Sequence, residues 1–262
     1  MDALDAEAIA AQLGKSAARA SVEVCASCAS TNAELLQRVS VDGRALILAA
    51  EEQTAGRGRR GRRWLSSPGS AATFSVSRRL RCTPAALAGL SLAAGVAAVR
   101  ALRGLGVIDV LLKWPNDLLL RGAKIGGILV ETRQLGGEIC VVIGIGINCR
   151  SMPELGGHLR RRIAALDDSA QPPLARNAVI GAVAREVLGA LDEFERTGFA
   201  AFAADWTALH AYEGRRLRVR LEDGRTLSGI ASGLAANGAL RLRTRAGLRE
   251  VATGQVVTAR AS

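Results

Sequence analysis

Hydrophobic spacing divides the chain into two unequal parts. Up to about residue 212, apolar runs of strand length alternate with longer stretches at helical spacing. Past Gly214 only short alternating runs remain: RLRVRLED, TLSGIAS, ALRLRTR, REVATG and QVVTAR. In the first part, residues 1–20 read as a short helix and connector, and Ser21–Ala26 as a strand. A helix opens near Ser30, because Thr31 and Glu34 have capping-box spacing. Ala45–Ala50 is an apolar run of strand length, and Thr73–Leu80 alternates like a strand. Pro84–Arg103 is Ala/Leu-rich with Pro near its start, which predicts a buried helix. Val110–Trp114, Ile125–Glu131 and Ile139–Asn148 are β-rich, and Ala175–Glu195 and Phe199–Ala208 are the last helices. In the second part, Asp223-Gly224 and Asn237-Gly238 mark hairpin turns of a small all-β barrel. The predicted architecture is an α/β or α+β catalytic domain over 21–212, preceded by a connector over 1–20 and followed by a β-barrel over 213–262.

With 49% apolar residues in 262, the chain can bury a full core. No apolar run approaches the roughly 20 residues of a membrane span. The opening MDALDAEAIA lacks the basic start and apolar centre of a secretory signal. A soluble, cytoplasmic protein is expected. Its five cysteines are an odd number in a large chain, which argues against a disulfide framework. Cys25-x-x-Cys28 has the spacing of half a zinc site, but the two histidines, His158 and His210, are far away in sequence. The cysteines therefore read as small buried or half-buried residues, and no protein-held metal is expected.

The net charge of +11 fits nucleic-acid binding, attraction to acidic substrates, or arginine-rich coding alike. Lys15, Lys113 and Lys124 are the three lysines among 35 basic residues. A lysine in such a chain draws attention, because ammonium and guanidinium are not interchangeable. Gln53–Arg63 holds three glycines and five arginines with no apolar periodicity and reads as a loop, and the charge peaks in its Gly56-Arg57-Gly58-Arg59-Arg60-Gly61-Arg62-Arg63. Glycines let backbone N–H groups approach a phosphate, and arginine forks grip phosphate or carboxylate oxygens. Mutual repulsion among the arginines predicts a loop that moves until an anion arrives. Alone, this segment suits a nucleotide and a nucleic acid equally. Gln53 ahead of it can donate to and accept from an amide-like group, and Trp64 behind it offers either a face for a base or a core anchor.

Two further clusters carry chemistry. Lys113-Trp114-Pro115-Asn116-Asp117 makes a turn between strands, and Lys124-Ile125-Gly126-Gly127 follows. A hairpin would bring Lys113 and Lys124 into one neighbourhood. Lys124 beside a glycine pair can neutralise charge developing on a carboxylate and an α-phosphate. Asp117 can take a proton from an attacking amine, or serve only as an exposed partner of lysine. Gly144-Ile145-Gly146-Ile147-Asn148 leaves a flat floor on a strand, either for a ligand or for packing.

In their order and spacing, Ser30-Thr31-Asn32, Glu52-Gln53-Thr54-Ala55 with the arginine loop and Trp64, Lys113–Asp117, Lys124–Leu129 and Gly144–Asn148 resemble the biotin–protein ligases. The resemblance runs from about Ser21 to the C-terminus. It implies a catalytic domain with a mixed sheet like that of class II aminoacyl-tRNA synthetases, and an SH3-like barrel. It also implies two reactions. Biotin and Mg·ATP give biotinyl-5′-AMP and pyrophosphate, and a lysine of a carboxylase's biotin carboxyl carrier domain then takes the biotinyl group.

By position, Ser30, Thr31, Asn32 and Gln53 would meet the ureido ring of biotin. Arg57, Gly58 and Arg59 would hold its carboxylate and the phosphates and close the loop. Lys124 would be the main electrostatic catalyst, and Asp117 would steer the acceptor lysine. Trp64 and Asn148 would meet adenine, with Arg62, Lys113 and Asn116 beside the nucleotide. A lipoate–protein ligase is the near alternative, and a basic nucleic-acid-binding protein the distant one. The latter is poorly served by 3% aromatic residues. DNA is not an expected partner, since about 20 residues ahead of the first motif strand are too few for a helix-turn-helix. The sequence does not choose between monomer and homodimer.

Overall fold

The computed structural model describes residues 2–38, 43–151, 163–170 and 172–260, the side chains of 258–260 excepted. His158, weighed above as a zinc ligand, lies outside them. Seven strands form the first sheet: β1 (Ala20–Cys28), β2 (Ala45–Gln53), β3 (Ala71–Leu80), β4 (Val110–Lys113), β5 (Asp117–Leu120), β6 (Ala123–Leu135) and β7 (Glu138–Asn148). Their order is β1-β2-β3-β7-β6-β5-β4. β1 and β2 are parallel, which requires a crossover, and α2 (Thr31–Gln37) supplies it. The other adjacent pairs are antiparallel, so the sheet is mixed.

Alternation along β7 creates the two environments of this sheet. Ile139, Val141, Ile143, Ile145 and Ile147 enter the main core. That core also takes residues from α1 (Ala6–Ala11), α3 (Leu90–Gly104), α4 (Arg176–Thr197) and α5 (Ala203–Leu209). Cys140 and Val142 face the other way, packing with Leu35 and Leu48 in a smaller core under α2. Gly144 and Gly146 continue this second face without side chains. The register places Ser75 and Leu129 on either side of Gly144, and Thr73 and Gly127 on either side of Gly146. The open ground of the sheet is therefore a short polar and glycine stretch across β3, β7 and β6.

Several boundaries differ from expectation for physical reasons. Gln53 ends β2 rather than starting a loop, since Cys28 pairs with it in register. Ser30, not Thr31, caps α2, and no side-chain cap bond forms. Thr31 instead turns its hydroxyl to Ser75 at 2.6 Å. The Pro84 segment is a 3-10 turn over Pro84–Leu87, and the α-helix starts at Leu90. Pro84–Gly104 as a whole is long and apolar enough to cross a membrane, contrary to the sequence reading. Yet Leu90, Leu92, Val96, Val99 and Leu102 are buried in the protein core. Asp117–Leu120 forms a strand that the spacing did not predict. The five cysteines are free thiols, buried or half-buried as expected. Burial, then the neighbouring Cys25, pushes the Cys28 thiol up to about 12, away from the thiolate that metals and oxidants need.

The second sheet is antiparallel, in the order β11-β10-β9-β8-β12. It comprises β8 (Arg216–Arg220), β9 (Thr226–Leu234), β10 (Leu240–Thr244), β11 (Gly247–Val251) and β12 (Gln255–Arg260). One tryptophan ties it to the first sheet. Trp114, 2% exposed, donates its indole N–H to the Gly238 carbonyl at 3.2 Å. Gly238 has φ +80°, and a Cβ there would lie 2.7 Å from Leu92 Cδ1 on α3. We expect Gly238→Ala to cost about 1–3 kcal/mol, through left-handed strain and the overlap with Leu92. Denaturant unfolding of the variant checks this, and an unchanged midpoint would mean the joint is looser than drawn.

Candidate active site

A cavity of about 450 Å3 opens over the bare stretch of the first sheet, within the range of small-molecule sites. Its walls come from four places. Ser30, Thr31 and Asn32 enter from the start of α2, and Gln53 from the end of β2. Arg57, Gly58, Arg59, Arg62 and Trp64 come from the arginine segment. Asn116, Asp117 and Lys124 come from the β4–β5–β6 meander, and Gln255 from β12 of the second sheet.

The two glycines of β7 make this convergence possible. A Cβ on Gly144 would overlap Asn32, and one on Gly146 would overlap the Trp64 ring. The floor expected to lie open for a ligand is thus partly covered by the protein's own Asn32 and Trp64. Asn32 Nδ2 donates to Leu129 O at 3.2 Å and to Glu131 Oε2 at 2.8 Å, and its Oδ1 accepts from Ser75 at 2.6 Å. Ser75 spends its proton on Asn32, so the single Thr31 hydroxyl proton is shared between Ser75 Oγ at 2.6 Å and Gln53 Oε1 at 3.1 Å. Gln53 Oε1 accepts the Thr31 amide at 2.8 Å. Glu131 also holds the Arg57 guanidinium at 3.1 Å. One polar chain therefore runs from Gln53 through Thr31, Ser75, Asn32 and Glu131 to Arg57.

The arginine segment closes on itself. Trp64 N–H donates to Gly56 O at 2.9 Å, and Gly58 N–H to Arg62 O at 2.7 Å. The tip turns through Arg60, whose φ of 59° is left-handed, an uncommon state for a non-glycine residue. Arg60 reaches Glu222 of the second sheet at 3.9 Å. Burial, then repulsion from Arg60 and Arg62, lowers the pKa of Arg59 from its ordinary value. Such a crowd of cations gains from an incoming anion. The Trp64 indole N–H is buried without a protein acceptor among the described residues.

Lys124 forms an ion pair with Asp117, and both are about one-fifth exposed. Gly126 and Gly127 serve the protein first. A Cβ on Gly126 would sit 2.6 Å from Gly146 O, and one on Gly127 would sit 3.2 Å from Lys124 Nζ. Lys113 and Lys124 are not in one cavity. Lys113 pairs with Asp117 across β4 and β5 and lines a small adjoining cleft with Arg59, Arg60, Arg62, Asn116 and Gln255. Asn148 does not reach the cavity wall. It is buried at the end of β7, and its Nδ2 donates to Ala164 O at 3.0 Å.

Ser75, Glu131 and Gln255 escaped the sequence reading. Ser75 has a faint signal, a polar residue at every second position from Thr73 to Ser77. Glu131 is the acid that follows the apolar run Ile128-Leu129-Val130 inside β6. Gln255 reaches the site by tertiary docking and has no local signal.

Residues 26–148 match the biotin/lipoate A/B protein ligase family, and residues 214–258 the biotin protein ligase C terminal domain. A bifunctional ligase/repressor from Escherichia coli is 38% identical over 214 residues, covering 81% of this chain and 66% of that protein. A biotin–[acetyl-CoA-carboxylase] ligase from Mycobacterium tuberculosis is 35% identical, covering 90% of this chain and 88% of that protein. The structure of a biotin protein ligase from Aquifex aeolicus in complex with biotin and ATP aligns with a TM-score of 0.75 and 28% identity, over 92% of this chain and 99% of that one. By its sequence, its two sheets and the cavity between them, the chain belongs to the biotin protein ligase family.

Proposed function

We propose that this protein activates biotin with ATP as biotinyl-5′-AMP and transfers the biotinyl group to a lysine of a carboxylase's biotin carboxyl carrier domain. The observation that carries this reading is the polarity of the cavity. Neutral donors and acceptors of Thr31, Asn32 and Gln53 share the cavity wall with the cations Arg57, Arg59, Arg62 and Lys124. A neutral ureido ring with a carboxylate tail suits that combination. In the finer comparison, the mixed sheet would be the catalytic domain of class II aminoacyl-tRNA synthetase type, over 21–212. The second sheet would be an SH3-like barrel, over 213–262. A cytoplasmic setting follows from the substrates.

In the first step a biotin carboxylate oxygen attacks the α-phosphorus, and pyrophosphate leaves. Two anions must meet, and fixed cations offset their repulsion. Lys124 is placed to stabilise charge between carboxylate and α-phosphate, and Arg57 and Arg59 to hold both reactants. Mg2+ would be carried by the phosphates, since Asp117 is the one carboxylate among the described residues of the cavity wall and is paired with Lys124. Ser30, Thr31 and Gln53 would contact the ureido ring. Asn32, whose polar atoms are all engaged, would act chiefly by positioning them. Trp64 is the better candidate for the adenine face, and Asn148 would support that end from behind. In the second step the acceptor amine attacks the carbonyl carbon, AMP leaves, and one proton is released, for which Asp117 is the nearest base. A closed arginine segment keeps water from the mixed anhydride.

Incubation with ATP, Mg2+, a carrier domain and either biotin or lipoate tests the reading by mass spectrometry. One biotinyl group per carrier is expected. Lipoyl transfer without biotinyl transfer, or salt-sensitive RNA binding with no pyrophosphate release, would sink it. Lys124→Ala should slow pyrophosphate release by about 100- to 1,000-fold, the scale for losing one preorganised electrostatic group, with little change in melting temperature. Release near the wild-type rate would remove Lys124 from its role. Glu131→Ala should act differently, raising the KM for biotin by about tenfold through loss of charge-assisted bonds to Asn32 and Arg57. An effect on the KM for ATP alone would show that Glu131 serves the nucleotide instead.

A further inference from the structure

The fold makes no use of the Thr73 hydroxyl. Along β3, Ala72, Phe74 and Val76 enter the main core, so Thr73 and Ser75 share the opposite face. Ser75 is engaged there by Thr31 and Asn32. Thr73 is 4% exposed and lines the cavity, yet its side chain makes no hydrogen bond among the described residues. Burying a hydroxyl without a partner is unfavourable. Valine would fill the same space in a strand without that penalty. A hydroxyl kept on those terms in a cavity wall is a contact held for a ligand. The Trp64 indole N–H, over the same part of the sheet, also has no acceptor among the described residues.

Strand register identifies the part of the ligand that arrives there. Thr73 lies opposite Gly146, and Gly146 opposite Gly127. Lys124 Nζ lies 3.2 Å from where a Cβ on Gly127 would be. One row across β3, β7 and β6 therefore has a hydroxyl at one end and an ammonium at the other, about 10 Å apart at the backbone. The Trp64 ring covers the glycine between them. The neighbouring row, about 7 Å along β3, carries Ser75, which is joined to Thr31 and through it to Gln53. Beyond Ser75 the face is closed by Val142, packed with Leu35 and Leu48. A ligand whose neutral ring is held by Thr31 and Gln53 thus has its tail over the Thr73 row. In the ligase reading that tail is a carboxylate. One of its oxygens must be free to attack the α-phosphorus beside Lys124, and the other needs a donor that fixes it without adding charge. We propose that Thr73 is a further substrate-binding residue, donating its hydroxyl to the non-attacking carboxylate oxygen of biotin. The same oxygen becomes the carbonyl of the adenylate, so the bond persists through activation. The inference rests on the ligase reading above.

Thr73→Val keeps the shape and removes the hydroxyl, and Thr73→Ser keeps the hydroxyl. Titration calorimetry on the full chain measures binding of biotin and of its analogue with a methyl group in place of the carboxylate. Thr73→Val should bind biotin about 10- to 100-fold more weakly, the range for losing a hydrogen bond to a charged group. Thr73→Ser should recover most of that loss. The methyl analogue should bind wild type and Thr73→Val alike, and the KM for ATP at saturating biotin should not move. The melting temperature of Thr73→Val should hold or rise, because no hydrogen bond within the protein is lost. Unchanged biotin binding in Thr73→Val, or an equal loss for the methyl analogue, would overturn the assignment and leave the ligase reading intact. A rise in the KM for ATP alone would also overturn it, giving the hydroxyl to the phosphates. A melting temperature lowered in Thr73→Val and restored in Thr73→Ser would show a hydroxyl that serves the fold instead. Wild-type protein that binds no biotin would overturn the ligase reading, and the assignment with it.

Discussion

Everything at the site depends on two missing side chains on one face of β7. With any Cβ at Gly144, Asn32 would have to leave the sheet; with any at Gly146, Trp64 would. Asn32 would then lose Ser75, Leu129 and Glu131, and the chain of bonds from Gln53 to Arg57 would break in its middle. Buried polar networks are costly when half-satisfied, so the network and the glycines are constrained together. The remainder of β7 shows what ordinary packing requires, since Cys140 and Val142 on the same face bury against Leu35 and Leu48. The switch from packing to site occurs within one strand, between Val142 and Gly144.

A second constraint is electrostatic. A cavity that holds two anions must first hold several cations near one another without them. Glu131 beside Arg57, Asp117 beside Lys124 and Glu222 beside Arg60 each neutralise one charge at the edge of the cluster. Arg59 is left within the cationic crowd, and burial first, then Arg60 and Arg62, lowers its pKa. Backbone bonds, rather than charge, fix the segment's shape, through Gly56 with Trp64 and Gly58 with Arg62. The repulsion foreseen from the sequence is real, but local hydrogen bonding and three carboxylates answer it.

What the sequence disclosed follows the range of the forces involved. Thr73–Leu80 was legible because apolar residues facing the main core alternate with polar ones facing the site, and Arg216–Arg220 because one face is buried and the other exposed. The motif residues from Ser30 to Trp64 were legible because the cavity takes them in consecutive order. Asp117–Leu120 was missed because three consecutive leucines after an aspartate have no period to read. The glycines of β7 were read as a flat floor, for a ligand or for packing, and no local signal says that Asn32 and Trp64 will occupy it. Lys113 and Lys124 were grouped by a hairpin argument, and both do adjoin Asp117, but β5 between them places them in different cavities. Asn148 was placed at the ligand by motif, whereas burial turns its amide to Ala164. Gln255 lay beyond reach altogether, because its place depends on how one sheet docks on another.

That docking has a consequence for how the parts act together. The second sheet touches the first through Trp114 and Gly238, near the start of α3, and reaches the site through Gln255 and Glu222. Trp114 precedes Asn116 and Asp117, which line the cavity. The same turn that receives the second sheet therefore also presents the partner of Lys124. A shift of the second sheet at Gly238 would be felt at Trp114, and through the short turn at Asp117, without any change in the first sheet's core. The arginine segment meets the other end of this lever through Arg60 and Glu222. The arginine segment and the second sheet thus each border the site, and they also meet one another at Arg60 and Glu222.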